Sequence, residues 1–354
     1  MENLFKPLVL GDIALNNRIV MAPMTRSRAT AEGDLVTDLH VEYYRQRATA
    51  GLIVTEGVQP SKNGKGYCRT PGIYSAEQVA AWKQVTDAVH EAGGKIVCQI
   101  MHTGRVASHL NKDADAETVA PSAITAQGEA FTEQGMKPLD PPRALESEEI
   151  PAVIDEFRQA AANAMAAGFD GVELHCTSGY LPAQFLATGS NQRSDAYGGS
   201  LENRCRFPLE VLAVMAEEIG AGRVGFRICP GHPFNDLHDD DPEQTFAHFL
   251  RRAAEMNLAY LHVIRMPATG LDNIALARQH YGDQLILNES YDAAEAEQAL
   301  AAGEGQAVSF GRAFVSNPDY VRRVEEGLPL TKMNVKTLYI EGPEGYIDYP
   351  FFSQ

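Results

Sequence analysis

The chain has 354 residues, of which 44% are hydrophobic and 22% charged, a globular mixture with enough apolar material for a substantial core. Its net charge of −17 argues against a nucleic-acid backbone or an anionic membrane surface as partner. No run approaches the roughly 18 apolar residues that a membrane span needs. The N-terminus lacks a basic segment followed by an apolar one, and the five cysteines show no metal-ligand pairing, so a cytoplasmic protein with free thiols and no metal is expected.

Taken in chain order, short apolar strands alternate with amphipathic helices, the pattern of a parallel sheet with crossover helices. The predicted strands cover residues 18–23, 51–57, 95–101, 171–175, 224–229, 260–264, 284–288 and 306–310. Eight strands close a barrel, so the expected fold is α/β, a single (β/α)8 TIM barrel over residues 1–354. Ser75 and Gln78 read as a capping box for a helix with Val79, Trp82, Val85 and Val89 on one face, ended by Gly93 and Gly94. Asp241 and Pro242 open another helix, with Phe246, Phe249, Leu250 and Ala253 as its buried stripe. Glu148 and Glu149 favour the start of a helix through Val153, Phe157 and Ala161 that Gly168 closes. Residues 106–145 break the rhythm with four prolines and no helical period. They are read as an inserted loop with a β-hairpin after the third strand, a lid over the barrel mouth.

In such a barrel the carboxyl ends of the strands converge on the active site. The fourth strand, with Glu173 and His175 on one face, ends in a cluster of His175, Ser178 and Tyr180 loosened by Gly179. Thr25 follows the first strand, Gln99 and Arg227 interrupt apolar runs, and Gly311 and Arg312 end the eighth. Singly, each has a structural alternative: a turn residue, a paired internal polar group, a surface charge. Four such occurrences on four different strands point to a site. Gly311 and Arg312, with the loop Asn288, Glu289 and Ser290, stand where barrels bind phosphate, so a phosphorylated ligand is expected across the mouth.

These residues lie within longer matches: LNNRIVMAPMTR at 15–26, GYCRTPGIYS at 66–75, QIMHTGR at 99–105, SNQRSDAYGGSLENR at 190–204, SFGRAFVSNPD at 309–319 and EGYIDYP at 344–350. Through them the chain resembles the Old Yellow Enzyme family of FMN-dependent ene-reductases over essentially its whole length. The resemblance implies noncovalent FMN, with Pro23, Met24 and Thr25 at the flavin edge and Gly57 beside the ring. It implies Gln99 and Arg227 on the pyrimidine half, and Ser290, Gly311 and Arg312 on the phosphate. NADPH or NADH would reduce the flavin. His175 and Ser178 would then polarise an activated alkene and Tyr180 protonate it, with Tyr67, Met101 and Tyr349 lining the substrate cavity and His102 structural.

Three departures from the family's pattern stand out: Ser178 where asparagine or histidine is usual, Met101 for a tryptophan, and Ser290 for a glycine of the strand-seven loop. The implied activity is NAD(P)H-dependent reduction of activated alkenes on a small-molecule substrate, by a monomer or homodimer. Alternatives are a reductase mainly of nitrate esters or nitroaromatics, or a non-catalytic FMN-binding barrel. The longer relatives with an iron–sulfur cluster are disfavoured by the scattered cysteines.

Overall fold

The computed structural model describes residues 1–353. Eight parallel strands close into a barrel: β1 Ile19–Met21, β2 Leu52–Val58, β3 Ile96–Ile100, β4 Gly171–His175, β5 Val224–Ile228, β6 Tyr260–Ile264, β7 Leu285–Asn288 and β8 Ala307–Phe310. Each coincides with one of the eight predicted strands to within two residues at either end. The helices on the outside are α1 Asp38–Gln46, α2 Ala76–Glu91, α3 Ile150–Ala166, α4 Leu181–Leu186 and α5 Leu201–Ile219, then α6 Pro242–Ala254, α7 Asn273–His280, α8 Ala293–Ala301, α9 Arg312–Ser316 and α10 Tyr320–Glu326.

The helix starts are chemical, as expected. Ser75 Oγ accepts from the Gln78 N–H at 3.2 Å, and Gln78 Oε1 accepts from the Ser75 N–H at 3.1 Å. Trp82 is fully buried and donates its indole N–H to the Gly72 carbonyl at 3.1 Å. Asp241 Oδ1 caps α6 through the Gln244 N–H. Glu149 caps nothing with its side chain, because Arg143 holds that carboxylate at 2.7 Å.

Strand alternation sorts the barrel into an outer core and a filled interior. Val172, Leu174, Phe226, Ile228, Leu261 and Val263 face the helices and join the main apolar cluster. The interior is layered. Its lower layer is apolar, with Val20, Leu52, Val54, Val97, Tyr260 and Ile286. The antiparallel pair Leu8–Leu10 and Ile13–Leu15 plugs that end, adding Leu10, Ile13 and Leu15 to the same cluster. The sequence reading had no role for this N-terminal ribbon. The next layer upward is polar and leads to the mouth.

Within residues 106–145 lies an antiparallel pair, Glu129–Thr132 with Gly135–Pro138. A short parallel pair at its base joins Val119–Ala120 to Arg143–Ala144. No helix among the described residues is long and apolar enough to cross a membrane.

Gly225 pairs with Tyr260 across β5 and β6, and a methyl group on Gly225 would stand 2.3 Å from the tyrosine ring. Gly225→Ala should therefore lower stability by about 1–3 kcal/mol through overpacking. A shift in the denaturant midpoint measures it, and an unchanged midpoint would mean that the ring has room to turn aside.

Candidate active site

The polar layer is a chain of directed hydrogen bonds built on Glu173 of β4. The register sets Glu173 beside Gln99 of β3, Arg227 beside His262, and Asn288 beside Ser309. Gln99 Nε2 donates to Glu173 Oε1 at 2.8 Å, and His262 Nδ1 lies 2.9 Å from Glu173 Oε2. His262 Nε2 is 2.7 Å from Ser309 Oγ, which also accepts from Asn288 Nδ2 at 2.7 Å. Asn288 Oδ1 accepts from Arg227 Nη2 at 2.6 Å. One assignment satisfies the carboxylate, the imidazole and the hydroxyl together: His262 donates to the carboxylate and accepts from the Ser309 hydroxyl. Burial alone would raise the Glu173 carboxyl, but His262, Arg227 and Gln99 together hold it below the ordinary range. Burial lowers His262 against the pull of Glu173, keeping the imidazole neutral. Arg227, lowered by burial and supported by Glu173, keeps a buried Nε with no protein partner.

Above this layer β4 ends in a turn that sets the positions of His175, Ser178 and Tyr180. Ser178 and Gly179 take left-handed backbone in succession, φ 58° and 75°. A methyl group on Gly179 would stand 2.8 Å from the Phe234 carbonyl, so glycine is required there. Asn235 Nδ2 donates to the Ser178 carbonyl at 2.7 Å and pins the turn. The reversal lays the Tyr180 ring edge-on to His175, with centroids 4.8 Å apart. The Tyr180 hydroxyl lies 3.0 Å from that of Tyr67. Burial, then the neighbouring Tyr67, pushes the Tyr180 phenol well above its ordinary value, so it stays protonated. Burial, then the Arg227 charge, pushes His175 well below its own, so it stays neutral, and its Nδ1 has no partner.

Two cavities open nearby; Tyr67 and Tyr180 line the larger of them, while His175 and Ser178 are not among the lining residues of either. One of about 350 Å³ at the ends of β1, β5, β7 and β8 is lined by Pro23, Met24, Arg227, Ser290, Gly311 and Arg312. The other, about 860 Å³, is lined by Thr25, Tyr67, Tyr180 and Asn235 at its base. Phe131 and Met136 of the hairpin, with Tyr339 and Ile340 near the C-terminus, rim that second cavity.

The family model of the NADH:flavin oxidoreductase / NADH oxidase family matches residues 3–331. The chain belongs to this family. Its sequence is 43% identical over 357 residues to a probable flavin mononucleotide-dependent alkene reductase of Leishmania infantum, covering 98% of this chain and 97% of that protein. The fold superposes on an old yellow enzyme homologue of Zymomonas mobilis with a TM-score of 0.94 and 39% identity, covering 99% of each chain. It superposes on morphinone reductase in complex with tetrahydroNAD with a TM-score of 0.93 and 42% identity, covering 100% of this chain and 98% of that one.

For a flavin oxidoreductase of the Old Yellow Enzyme family, the residues singled out in the sequence fall into three groups. Pro23, Met24, Arg227, Ser290, Gly311 and Arg312 meet around one cavity, and Thr25, Tyr67 and Tyr180 around the other. Gln99 lies below them in the polar layer, bonded to Glu173. Gly57 is where the second family departure packs, since a methyl group there would meet the Met101 sulfur at 2.5 Å. Met101 itself is buried in a cluster with Tyr180 and Leu139 and is not among the residues lining the larger cavity. Tyr349 does not reach that cavity either; its hydroxyl accepts from the Asn334 N–H at 2.9 Å, and Tyr339 stands at the rim instead. His102 is fully buried, accepts from the Gly104 N–H at 3.1 Å and packs on Phe157, as a structural residue does. Burial lowers it to about 3.

Glu173, His262 and Ser309 are the residues that sequence reasoning missed as a unit. The available signal was alternation: each is a polar side chain on the inward face of a largely apolar strand. Glu173→Gln would remove the countercharge from buried Arg227 and should cost about 3–5 kcal/mol of stability, the scale of breaking a buried ion pair on one side. Equilibrium unfolding in denaturant measures the loss, and an unaltered stability would show that the folded protein holds Glu173 uncharged.

Proposed function

We propose that this chain is an NAD(P)H-dependent, FMN-dependent ene-reductase acting on alkenes conjugated to a carbonyl or nitro group, with residues 1–354 working as one barrel. The observation that carries this reading is the pairing at the end of β4 of a neutral imidazole with a protonated phenol, 4.8 Å between ring centroids, the phenol of Tyr180 lining a cavity of about 860 Å³. An activated alkene needs a donor on its electron-withdrawing oxygen and an acid at its α-carbon, and these two side chains supply both.

The residues present fit FMN. Arg227 offers a buried Nε without a protein partner beside the smaller cavity, a cationic donor suited to the electron-poor end of a flavin. Gln99, engaged by Glu173 through its nitrogen, is fixed in orientation just below. Arg312, with Ser290 and Gly311, lies at the far end of the same cavity, where a phosphate would sit. When bound, FMN supplies the hydride relay between nicotinamide and alkene.

The chain's own work is to bind, orient and protonate. His175, neutral and with Nδ1 free, holds the activating oxygen, and the half-buried Ser178 adds a shorter hydroxyl beside it. Tyr180 delivers its phenolic proton to the α-carbon, and the Tyr67 hydroxyl at 3.0 Å is placed to return one to it. Phe131 and Met136 support a lid role for the hairpin, since both reach the rim of the substrate cavity. All five cysteines are buried free thiols, which supports a reducing compartment such as the cytoplasm.

Anaerobic NADPH should bleach the bound flavin and a conjugated enone should restore its colour; a flavin that neither bleaches nor recovers would refute the reading. Tyr180→Phe should leave bleaching nearly intact and slow enone reoxidation about a hundredfold or more in stopped flow, the scale of a general acid. Unslowed reoxidation would remove Tyr180 from proton delivery. Ser178 at φ 58° occupies backbone that asparagine tolerates better than serine, so Ser178→Asn should fold normally. It should also tighten a para-substituted phenol over the oxidised flavin several-fold, because the longer amide reaches the ligand oxygen. Equal or weaker phenol affinity would mean that His175 binds that oxygen alone.

A further inference from the structure

The phosphate end of the smaller cavity already contains an anion belonging to the chain. Arg312 Nη2 donates to Glu289 Oε1 at 2.7 Å and lies 3.1 Å from Ser290 Oγ, and Ser290 Oγ donates to the same carboxylate oxygen at 2.8 Å. Both side-chain donors at that end of the cavity are thus engaged by one carboxylate. Glu289 and Ser290 stand in successive left-handed conformations, φ 84° and 56°, where glycine or asparagine is the easier residue. The strained loop is held from behind: Arg265 Nε and Nη2 donate to the carbonyls of Glu289 and Ser290 at 2.7 and 2.8 Å, and its guanidinium lies 3.6 Å from the Tyr291 ring centroid. The side chain of Glu289 is therefore aimed at Arg312 by a fixed backbone.

We propose that Glu289 is an internal competitor for the cofactor's phosphate, occupying Arg312 when the phosphate is absent and repelling it at close range when FMN binds. The chain then holds FMN mainly by its ring system and discriminates weakly between FMN and riboflavin, which lacks the phosphate. This inference rests on the FMN reading above and concerns a group that the reaction itself does not use. Arg312 and Glu289 are partly exposed, so solvent screens the repulsion and the effect is moderate rather than absolute.

The test is a titration of flavin-free protein with FMN and, separately, with riboflavin, read by quenching of flavin fluorescence at low salt and one pH. Glu289→Gln keeps the shape and removes the charge. It should tighten FMN about tenfold, as expected for relieving a screened carboxylate–phosphate contact, and leave riboflavin unchanged. Glu289→Gly should tighten FMN at least as much, since it also relieves the left-handed backbone. Arg312→Ala made in the Glu289→Gln protein should abolish the gain. Riboflavin affinity, together with the melting temperature, reports whether each variant is folded. Wild-type protein that already prefers FMN over riboflavin by a hundredfold or more, or unaltered or weaker FMN binding in Glu289→Gln, would overturn the inference while leaving FMN as cofactor. Failure of the wild type to bind either flavin would overturn both.

Discussion

Glu173 carries an ionised carboxylate with no solvent exposure in the interior of the barrel, and the polar side chains of the surrounding layer are arranged to satisfy it. A buried charge of this kind is tolerable only when paired and hydrogen-bonded. Gln99 and His262 take its two oxygens, and the guanidinium of Arg227 balances its charge. Ser309 and Asn288 carry the direction of the hydrogen bonds around to Arg227, so that one donor of the guanidinium is fixed while Nε remains free toward the mouth. Burial lowers His175 two positions along β4, and Arg227, opposite it in the register, lowers it further. The interior network thereby orients Arg227 and adds to the burial that keeps the His175 imidazole neutral.

A second group of buried charges positions the larger cavity from behind. Arg28 donates to the carbonyls of Leu338 and Thr337 at 2.7 and 2.8 Å, and Arg26 to that of Gly345 at 2.7 Å. Arg69 donates to the Tyr339 carbonyl at 2.9 Å. These bonds clamp the backbone on both sides of Tyr339 and place it at the rim. Arg26 and Arg28 lie within about 5 Å of the Tyr346 ring centroid, so the aromatic face shares in screening them. Glu56 is buried with them and pushed up to about 7, chiefly by desolvation, against the opposing pull of Arg26 and Arg28. Its carboxyl therefore titrates near neutrality, next to Gly57 and the strand that carries the predicted flavin contact.

The overall charge of −17 and the local chemistry of the mouth point in opposite directions. Arg227, Arg312 and Arg265 concentrate positive charge around β5 to β8, while Glu289 enters the same space. Averaged charge argues against polyanionic partners as a matter of long-range field, yet it carries no information about a site a few ångströms across.

The sequence by itself determined the barrel, because strand alternation, helix caps and the count of eight are local properties that each segment expresses alone. Ser75 with Gln78 and Asp241 with Gln244 show this at the helix starts. It also determined the cluster of His175, Ser178 and Tyr180, since six consecutive residues on one turn cannot be far apart. The strand-end residues Arg227, Gly311 and Arg312 were legible for a related reason: a closed parallel barrel brings all carboxyl ends to one face. Tertiary structure alone decided which distant side chains meet. Tyr339 replaced Tyr349 at the cavity because buried arginines far earlier in the chain fix the C-terminal backbone, and spacing from a motif cannot encode that anchoring. Met101 turned inward because Gly57 on the neighbouring strand leaves it room. The pairing of Glu173 with His262, 89 residues apart, and of Arg312 with Glu289 across two loops depends on barrel register and backbone strain. Those are properties of the closed sheet, which no single segment possesses.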